Sequence, residues 1–301
     1  MKARTAYLML SFASLAWAGN IVLGRAVATE IPPIALSFWR WLTAFAVLLP
    51  IAWPEIRRGW PILRREWKML ALLSLLGMAL FHSLLYYAVH WTTAINALLI
   101  MSICPAVIPV ISRVVWGERL TARQAVGIAL SMVGVAVIVT RADLDVLMGL
   151  RLSYGDGVMV VAMLFWALYS VLVRRRPAAL HPNAMLTGIV GFAVLFLLPA
   201  VAVEHMSGAV MPLTWASAVT VAYVGVVASA LVYLGFNPAV EAVGPNRAGQ
   251  FLHLMPLFGA VLAIVFLGES LRLYHVSGAA LIAAGIYLAT ISARRSVNST
   301  A

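Results

Sequence analysis

Residues 97–139 read ALLIMSICPAVIPVISRVVWGERLTARQAVGIALSMVGVAVIV, and residues 248–290 read AGQFLHLMPLFGAVLAIVFLGESLRLYHVSGAALIAAGIYLAT. The two stretches match at an offset of 151, and a weaker match at 149 relates residues nearer the amino terminus. The matched pairs are Pro105 with Pro256, Gly117 with Gly268, Glu118 with Glu269, Leu120 with Leu271, Gly127 with Gly278, Gly134 with Gly285, Trp17 with Trp166 and Arg25 with Arg174. The chain therefore contains two copies of one unit, which we place at residues 1–141 and 142–301.

The composition indicates a membrane protein. Hydrophobic residues make up 63% of the 301 residues and charged residues 10%, whereas a soluble domain has about 25% charged residues. The apolar residues form blocks of roughly 20, the length of a membrane-spanning helix. We predict an all-α integral membrane protein with ten spans, at about 5–27, 33–53, 69–90, 94–113, 122–140, 155–174, 183–203, 213–238, 247–267 and 273–292. The longest predicted connections are 54–68 and 141–154.

The basic residues predict the orientation. The net charge of +11 comes from short runs beside apolar blocks, which is typical of topology signals and contacts with anionic headgroups rather than of nucleic-acid binding. With the amino terminus inside, the inner side holds Lys2, Arg4, Arg57, Arg58, Arg64, Arg65, Lys68, Arg113, Arg119, Arg123, Arg174, Arg175, Arg176, Arg247, Arg294 and Arg295, and the outer side Arg25, Arg141, Arg151 and Arg272. We therefore expect both termini in the cytoplasm, in a bacterial inner (plasma) membrane.

The orientation determines how the two copies are related. Each copy has five spans, an odd number, so the second copy starts on the opposite side of the membrane from the first. The sequence thus predicts two inverted five-helix repeats around a central cavity. We expect the lipid bilayer and a small-molecule substrate as partners, no nucleic acid, and a monomer or weak homodimer.

The acidic residues argue against several functions. All ten lie in loops or at the ends of predicted spans, which disfavours an antiporter driven by a carboxylate at mid-bilayer and an intramembrane aspartyl protease. The sequence has no phosphate loop, metal motif or Ser/His/Asp set. We expect no enzyme activity, no cofactor and no metal, and the single cysteine, Cys104, excludes an internal disulfide.

Polar residues inside the spans are candidates for a substrate site. His82 and Tyr86 lie in span 3, and Ser102 in span 4 corresponds to His253 in span 9, three residues after Gln250. A polar group in the bilayer needs a partner or water. We therefore predict that spans 3, 4, 8 and 9 line a wet cavity; the alternative is a histidine bonded to a neighbouring helix.

Two tryptophans lie unusually deep. Trp17 and Asn20 in span 1 correspond to Trp166 and Tyr169 in span 6, although Trp prefers the membrane interfaces. Such a wall could stack on an aromatic or apolar substrate; the alternative is core packing. For Arg40 in span 2 we predict a structural role, with binding of a substrate carboxylate as the alternative.

Prolines interrupt two predicted spans. Pro105 and Pro109 in span 4 and Pro256 in span 9 remove backbone hydrogen bonds. We predict hinges at Pro105 and Pro256.

Several motifs carry a family resemblance. Pro105 and Pro256, the stretches WGERL (116–120) and LGESL (267–271), and Phe38-Trp39-Arg40 together resemble two tandem EamA domains of the drug/metabolite transporter superfamily. The resemblance implies ten helices, a pseudo-twofold axis in the membrane plane, a cavity formed by spans 1, 3, 4, 6, 8 and 9, peripheral spans 5 and 10, and alternating access. It also implies export of amino acids or related metabolites. Span 7 has no equivalent of Arg40.

These observations lead to three hypotheses. The first is an exporter of small metabolites, including aromatic or apolar amino acids, either facilitative or proton-linked through His82 or His253; the absence of a mid-membrane carboxylate favours the facilitative mode. Its side-chain contacts would be Trp17, Tyr86, Trp166 and Tyr169, and its polar contacts Asn20, His82, Ser102, Gln250 and His253. The second is a broad-specificity drug efflux pump or a sugar or nucleotide carrier. The third, less favoured, is a non-transporting membrane enzyme or scaffold.

Overall fold

The computed structural model describes residues 1–143, 145, 153–175, 177, 179–267 and 272–291, and the regular elements of this part are helical. Eight helices are long and apolar enough to cross a membrane. They are α1 (Ala3–Ala26), α2 (Pro33–Arg65), α3 (Trp67–Trp91), α4 (Ala94–Trp116), α5 (Ala122–Val139), α6 (Tyr154–Leu172), α7 (Pro182–Met206) and α8 (Trp215–Val243). The prediction of an all-helical membrane protein is confirmed.

Predicted spans 9 and 10 fall on three further helices. These are α9 (Pro245–Gln250), α10 (Leu254–Leu267) and α11 (Leu273–Ile291). None of them is among the eight, so the number of ten crossings stays a prediction. The repeated residues Gly268, Glu269 and Leu271 lie outside the described residues.

Helix α2 is longer than its sequence suggests. It continues to Arg65 through Pro50, Pro54 and Pro61, so the prediction of a connection over 54–68 is wrong. The spacing of these prolines, four and then seven residues, places them on one helix face, and all three are exposed. Because the three prolines lie on one exposed face, the hydrogen bonds that they cannot donate are all missing from that side. The helix can bend there and still continue.

Helices α3 and α8 each contain a π-helical segment, at Leu75–Leu80 and Tyr223–Leu231. The segments occupy corresponding parts of the two copies. A π-helical turn changes the i→i−4 ladder, and in both segments a carbonyl oxygen accepts a side-chain N–H from another helix. Trp41 Nε1 donates to the Met78 carbonyl at 3.1 Å, and Trp17 Nε1 donates to the Ala228 carbonyl at 3.1 Å. The two segments therefore hold buried tryptophans in the centre of the molecule.

The two predicted hinges differ in backbone structure. Helix α4 is continuous through Pro105. In the second copy a 3₁₀ turn, Phe251–His253, separates α9 from α10, and Pro256 is the third residue of α10. Pro256 has no N–H to donate to the Leu252 carbonyl, and at the start of a helix the missing donor costs little. Only Pro256 therefore adjoins irregular backbone; both hinges stay predictions.

Glycines allow α5 and α11 to pack closely. Gly127 faces the Gly285 carbonyl, and Gly134 faces the Gly278 carbonyl. Residue numbers rise along one helix as they fall along the other, so the helices are antiparallel. Because Gly127 corresponds to Gly278 and Gly134 to Gly285 in the repeat, each contact is the copy of the other.

The remaining helices surround a common core. Helix α1 packs on the second part of α8 and on α10, α6 packs on α3 and α4, and α2 packs on α7 and on the π segment of α8. Glu204 near the end of α7 accepts the first free N–H groups of α2, from Ile34 at 3.0 Å and Ala35 at 2.6 Å. This carboxylate caps α2 and compensates its helix dipole.

Candidate functional site

Arg40 lies at the centre of the molecule with a fully buried side chain. Its Nε donates to Ser229 Oγ at 2.6 Å, and Nη2 donates to the Ala228 carbonyl at 3.0 Å. Nη1 donates to Asn20 Oδ1 at 3.0 Å and to Tyr86 Oη at 2.8 Å. The Tyr86 hydroxyl in turn donates to Asn20 Oδ1 at 2.7 Å. Arg40 thus joins two predicted site residues, Asn20 and Tyr86, to the π segment of α8.

The acceptors around Arg40 are all neutral. Within the described chain, its guanidinium has no carboxylate partner. Nor does the side chain reach a membrane surface, because it is fully buried. A buried cation in a membrane is costly and marks a functional site by default.

A small aromatic cavity adjoins this network, and Asn20 belongs to both. The cavity has a volume of about 20 Å³, which holds roughly one water molecule. Its lining brings together four predicted site residues: Trp17, Asn20, His82 and Trp166. Phe81 and Leu252 also line the cavity. A cavity of this volume must enlarge before it can accept an organic substrate.

Trp166 is the central ring of the aromatic wall. It packs edge-on against Trp17 with centroids 5.0 Å apart, and it lies 5.0 Å from Phe81 and 5.4 Å from Tyr169. The Tyr169 hydroxyl donates to Asn237 Oδ1 at 3.1 Å. Tyr169 therefore supports Trp166 without itself lining the cavity.

Two buried donors near the cavity are unpaired. Trp166 Nε1 and Tyr233 Oη have no hydrogen-bond partner among the described residues, and their rings are 6.1 Å apart. Most buried polar groups are paired, and an unpaired one costs about 1–3 kcal/mol. Trp166 lines the cavity whereas Tyr233 does not, so the unpaired N–H of Trp166 is the donor that adjoins the cavity.

Three other predicted site residues do not line the cavity. The Ser102 hydroxyl donates to the Leu99 carbonyl at 2.6 Å, His253 Nε2 lies 2.8 Å from the Ser102 carbonyl oxygen, and Gln250 Nε2 donates to the Asn246 carbonyl at 3.4 Å. Ser102 and His253 are equivalent in the repeat and contact each other. Their neighbours Met101 and Leu252 do line the cavity. The polar side chains of Ser102, Gln250 and His253 therefore lie behind the residues that form the cavity wall.

Polar contacts join α4 and α6 at both ends. At the start of the helices, Asp156 accepts hydrogen bonds from the Thr92 hydroxyl and from Asn96 Nδ2, the latter at 3.2 Å. At the other end, Glu118 accepts from Arg174 Nη1 at 2.5 Å and from Ser112 Oγ at 2.6 Å. Both contacts cross between the two copies.

The environment of Glu118 changes its acidity. Partial burial alone would raise the pKa of Glu118, but the hydrogen bonds from Ser112 and Arg174 and the positive charge of Arg174 outweigh it and lower the pKa below its ordinary value. The side chains of Glu118 and Arg174 are each about one-third exposed. Glu269, the repeat equivalent of Glu118, lies outside the described residues.

The sequence did not single out several central residues. For Arg40 the sequence predicts a structural role, but it does not identify the partners on α1, α3 and α8. Phe81, Ser229 and Tyr233 were missed; the available signal was the spacing of Tyr233 and Phe236, one helical turn apart in an apolar span. In the described part of the chain, no group of three or more His, Cys, Asp or Glu side chains is placed to hold a metal ion.

Known proteins resemble this chain over nearly its whole length. An uncharacterized transporter of Archaeoglobus fulgidus is 28% identical over 94% of this chain and 96% of its own. The uncharacterized transporter YyaM of Bacillus subtilis is 25% identical over 96% and 95%. A protein of Salmonella typhimurium named "Probable amino-acid metabolite efflux pump" is 24% identical over 90% of each chain.

A crystal structure shares the fold. It aligns with a TM-score of 0.75 over 97% of this chain and 98% of its own, at 19% sequence identity. The model of the EamA-like transporter family matches residues 4–140 and 153–291. These two matches cover nearly all of the eight apolar helices and both halves of the central site, and the chain belongs to the EamA-like transporter family.

Proposed function

We propose that this transporter exports small carboxylate-bearing metabolites, including amino acids with aromatic or apolar side chains. The observation that carries the proposal is the buried Arg40 guanidinium, which has only neutral acceptors in the described chain. A carboxylate is its natural complement, because Arg forms two parallel charge-assisted hydrogen bonds with it once the carboxylate replaces neutral acceptors of the guanidinium. The substrate would supply the charge that the surrounding side chains lack.

The surroundings of Arg40 support an amino-acid substrate. An aromatic wall is formed by Trp17, Phe81 and Trp166. Asn20 connects it to Arg40, because Asn20 lines the same cavity and accepts a hydrogen bond from the guanidinium. Trp166 Nε1 and Tyr233 Oη provide further donors for the carboxylate. The name of the Salmonella relative agrees with this class of substrate. A pump for lipophilic cations is disfavoured, because the charged group beside the cavity is itself a cation.

We further propose that transport proceeds by alternating access between two inverted five-helix repeats, at 1–141 and 142–301. Two contacts support a twofold relation: Trp17 with Trp166 and Ser102 with His253 each join a residue to its own repeat equivalent. Such contacts occur only close to an axis that relates the copies. The antiparallel packing of α5 and α11 agrees with inversion. The proposed location is a bacterial inner membrane with cytoplasmic termini, and the proposed mode is facilitative.

Flux in proteoliposomes tests the substrate class. We expect saturable uptake of a labelled aromatic amino acid without a pH gradient, and competition by the free acid but not by its methyl ester. Arg40→Gln should lower the flux on the order of 100-fold, the effect of removing one partner of a buried charge pair. Arg119→Gln, at an exposed loop position, serves as the control and should keep wild-type flux.

Competition by the methyl ester tests whether the substrate carboxylate is recognised. Equal competition by acid and ester would show that the carboxylate is not recognised. Flux of a lipophilic cation in the absence of amino-acid flux would overturn the proposal entirely. Loss of flux in Arg40→Gln supports the proposal only if the variant is folded, as judged by size-exclusion chromatography and by a thermal unfolding transition like that of the wild type. Arg40→Lys, which keeps the positive charge, should then recover part of the flux.

A further inference from the structure

A groove lies on the outside of the helix bundle, between the second half of α2 and the first half of α7. Its volume is about 610 Å³, within the range of about 300–1,000 Å³ typical of small-ligand pockets. Trp53, Trp60 and Trp67 line one side, and Gly188 and Gly191 contribute no side chain to the other. The three tryptophans are each at least half exposed. The groove is therefore an apolar recess on the outside of the bundle, beside helices long and apolar enough to cross a membrane.

One end of the groove is positively charged. Arg64 lines it and is exposed, and in the described part of the chain it forms no ion pair. The neighbouring Arg65 pairs with Glu66 at 3.1 Å, and Lys68 Nζ lies 5.9 Å from the Trp67 ring centre. Tryptophan beside Lys and Arg is typical of the membrane–water interface. The charged end thus lies where phospholipid headgroups would lie.

We propose that this groove binds one anionic phospholipid, with an acyl chain against the tryptophans and the headgroup phosphate against Arg64. The apolar walls favour an acyl chain over a soluble polar ligand. The positive charge of Arg64 favours a headgroup of net negative charge over a zwitterionic one, in which the choline cation offsets the phosphate. Arg binds phosphate oxygens in a bidentate manner. The site is separate from the central cavity, and its occupancy does not depend on the transported substrate.

Native mass spectrometry of the purified protein tests the proposal, with phosphatidylglycerol and phosphatidylcholine of matched acyl chains as probes. We expect one tightly bound phosphatidylglycerol, held about fivefold or more tighter than phosphatidylcholine. Arg64→Gln should lower phosphatidylglycerol affinity about fivefold, the effect of one basic residue near an anionic surface, and leave phosphatidylcholine binding unchanged. Arg58→Gln is the matched control, because Arg58 is also exposed on α2 but does not line the groove.

A second variant tests the apolar part. Gly191→Leu should fill the groove and weaken both lipids, because a Cβ at Gly191 already lies 3.2 Å from Phe45 Cε2. Equal affinity of the two lipids for the wild type would overturn the proposal. Equal losses in Arg64→Gln and Arg58→Gln would show general surface attraction instead. If Gly191→Leu does not fold, the comparison of the two arginine variants still decides, because both replaced side chains are exposed.

Discussion

Trp41 and Trp166 are almost equally buried indoles whose N–H groups differ in their bonding. Trp41 Nε1 donates to the Met78 carbonyl at 3.1 Å, whereas Trp166 Nε1 has no partner among the described residues. We expect Trp41→Phe to cost about 1–3 kcal/mol of stability beyond the lost ring volume, because a buried carbonyl loses its best donor. Trp166→Phe should lose less stability but weaken substrate binding about fivefold, the effect of one hydrogen bond of about 1 kcal/mol. Thermal unfolding in detergent, with and without substrate, measures both effects.

The two substitutions remove the same atoms, so each is the control for the other. Identical stability losses combined with unchanged substrate affinity would show that the N–H of Trp166 is not used for binding. Retention of wild-type stability by Trp41→Phe would show that its bond to Met78 contributes little.

Glu118 should make stability depend on pH. Its pKa in the folded protein is below the ordinary value, which is about 4.3 in an unfolded chain. The stabilisation is therefore fully present above that unfolded value and is lost as the pH falls through the lower folded pKa. We expect Glu118→Gln to cost a few tenths to about 1 kcal/mol at pH 7, and the difference from wild type to shrink below about pH 4. Denaturation at pH 7, 5, 4 and 3 measures this difference.

Arg174→Gln provides the matching test, since it removes the other half of the same ion pair. It should produce a similar loss at pH 7 and a similar convergence in acid. A difference between wild type and Glu118→Gln that stays constant from pH 7 to pH 3 would contradict the assignment.

Four of the predicted site residues line the central cavity, and their contacts with a substrate stay predictions. Trp17, Asn20, His82 and Trp166 were found because polar or indole groups are rare in apolar spans. The bonding of Arg40 was not predictable, because its acceptors come from three other helices and one is a carbonyl in a π-helical segment. Ser102 and His253 were matched by the repeat, but side-chain direction around the 3₁₀ turn decides whether they face the cavity.

At the level of the helices, the close packing of α5 against α11 requires glycine, which has no side chain, at the contact positions. A Cβ at Gly134 would lie 2.7 Å from the Gly278 carbonyl oxygen, and no atom lies within 4 Å of one at Gly157. We expect Gly134→Ala to cost about 1–3 kcal/mol by overpacking. Gly157→Ala, at an exposed position within α6, should gain up to about 1 kcal/mol from helix propensity. Thermal unfolding of the two variants tests this contrast, which would fail if Gly134→Ala were neutral.

The helices themselves were largely predictable from apolar block length, and their irregularities were not. Proline punctuation indicated an end of α2 near residue 53, yet the helix continues because its three prolines share one outer face. The π segments of α3 and α8 have no local signature. They are stabilised by indole donors from α2 and α1, which are tertiary contacts.

For the whole molecule, the charge distribution predicts which loops face the cytoplasm. In a Cys104→Ala background, we expect a cysteine at Ser207 to react with a membrane-impermeant maleimide from outside the cell, and one at Arg119 to react only after lysis. Both positions are exposed, and the native Cys104 is buried. Labelling of Arg119→Cys in intact cells, without labelling at position 207, would show that the orientation is the opposite of the predicted one. Labelling of both positions from outside would contradict the alternation of loops on which the inverted repeat depends.

The size of the central cavity bears on how well this protein insulates the membrane. The central space of about 20 Å³ between indole and phenyl rings has room for roughly one water molecule. Protons and small ions cross bilayers along continuous files of water, and we expect a central space of this size to be too small for such a file. Vesicles containing the protein and a trapped pH dye should hold an imposed gradient as long as protein-free vesicles. A transporter with this property could be abundant in a membrane without discharging the gradients that other proteins use.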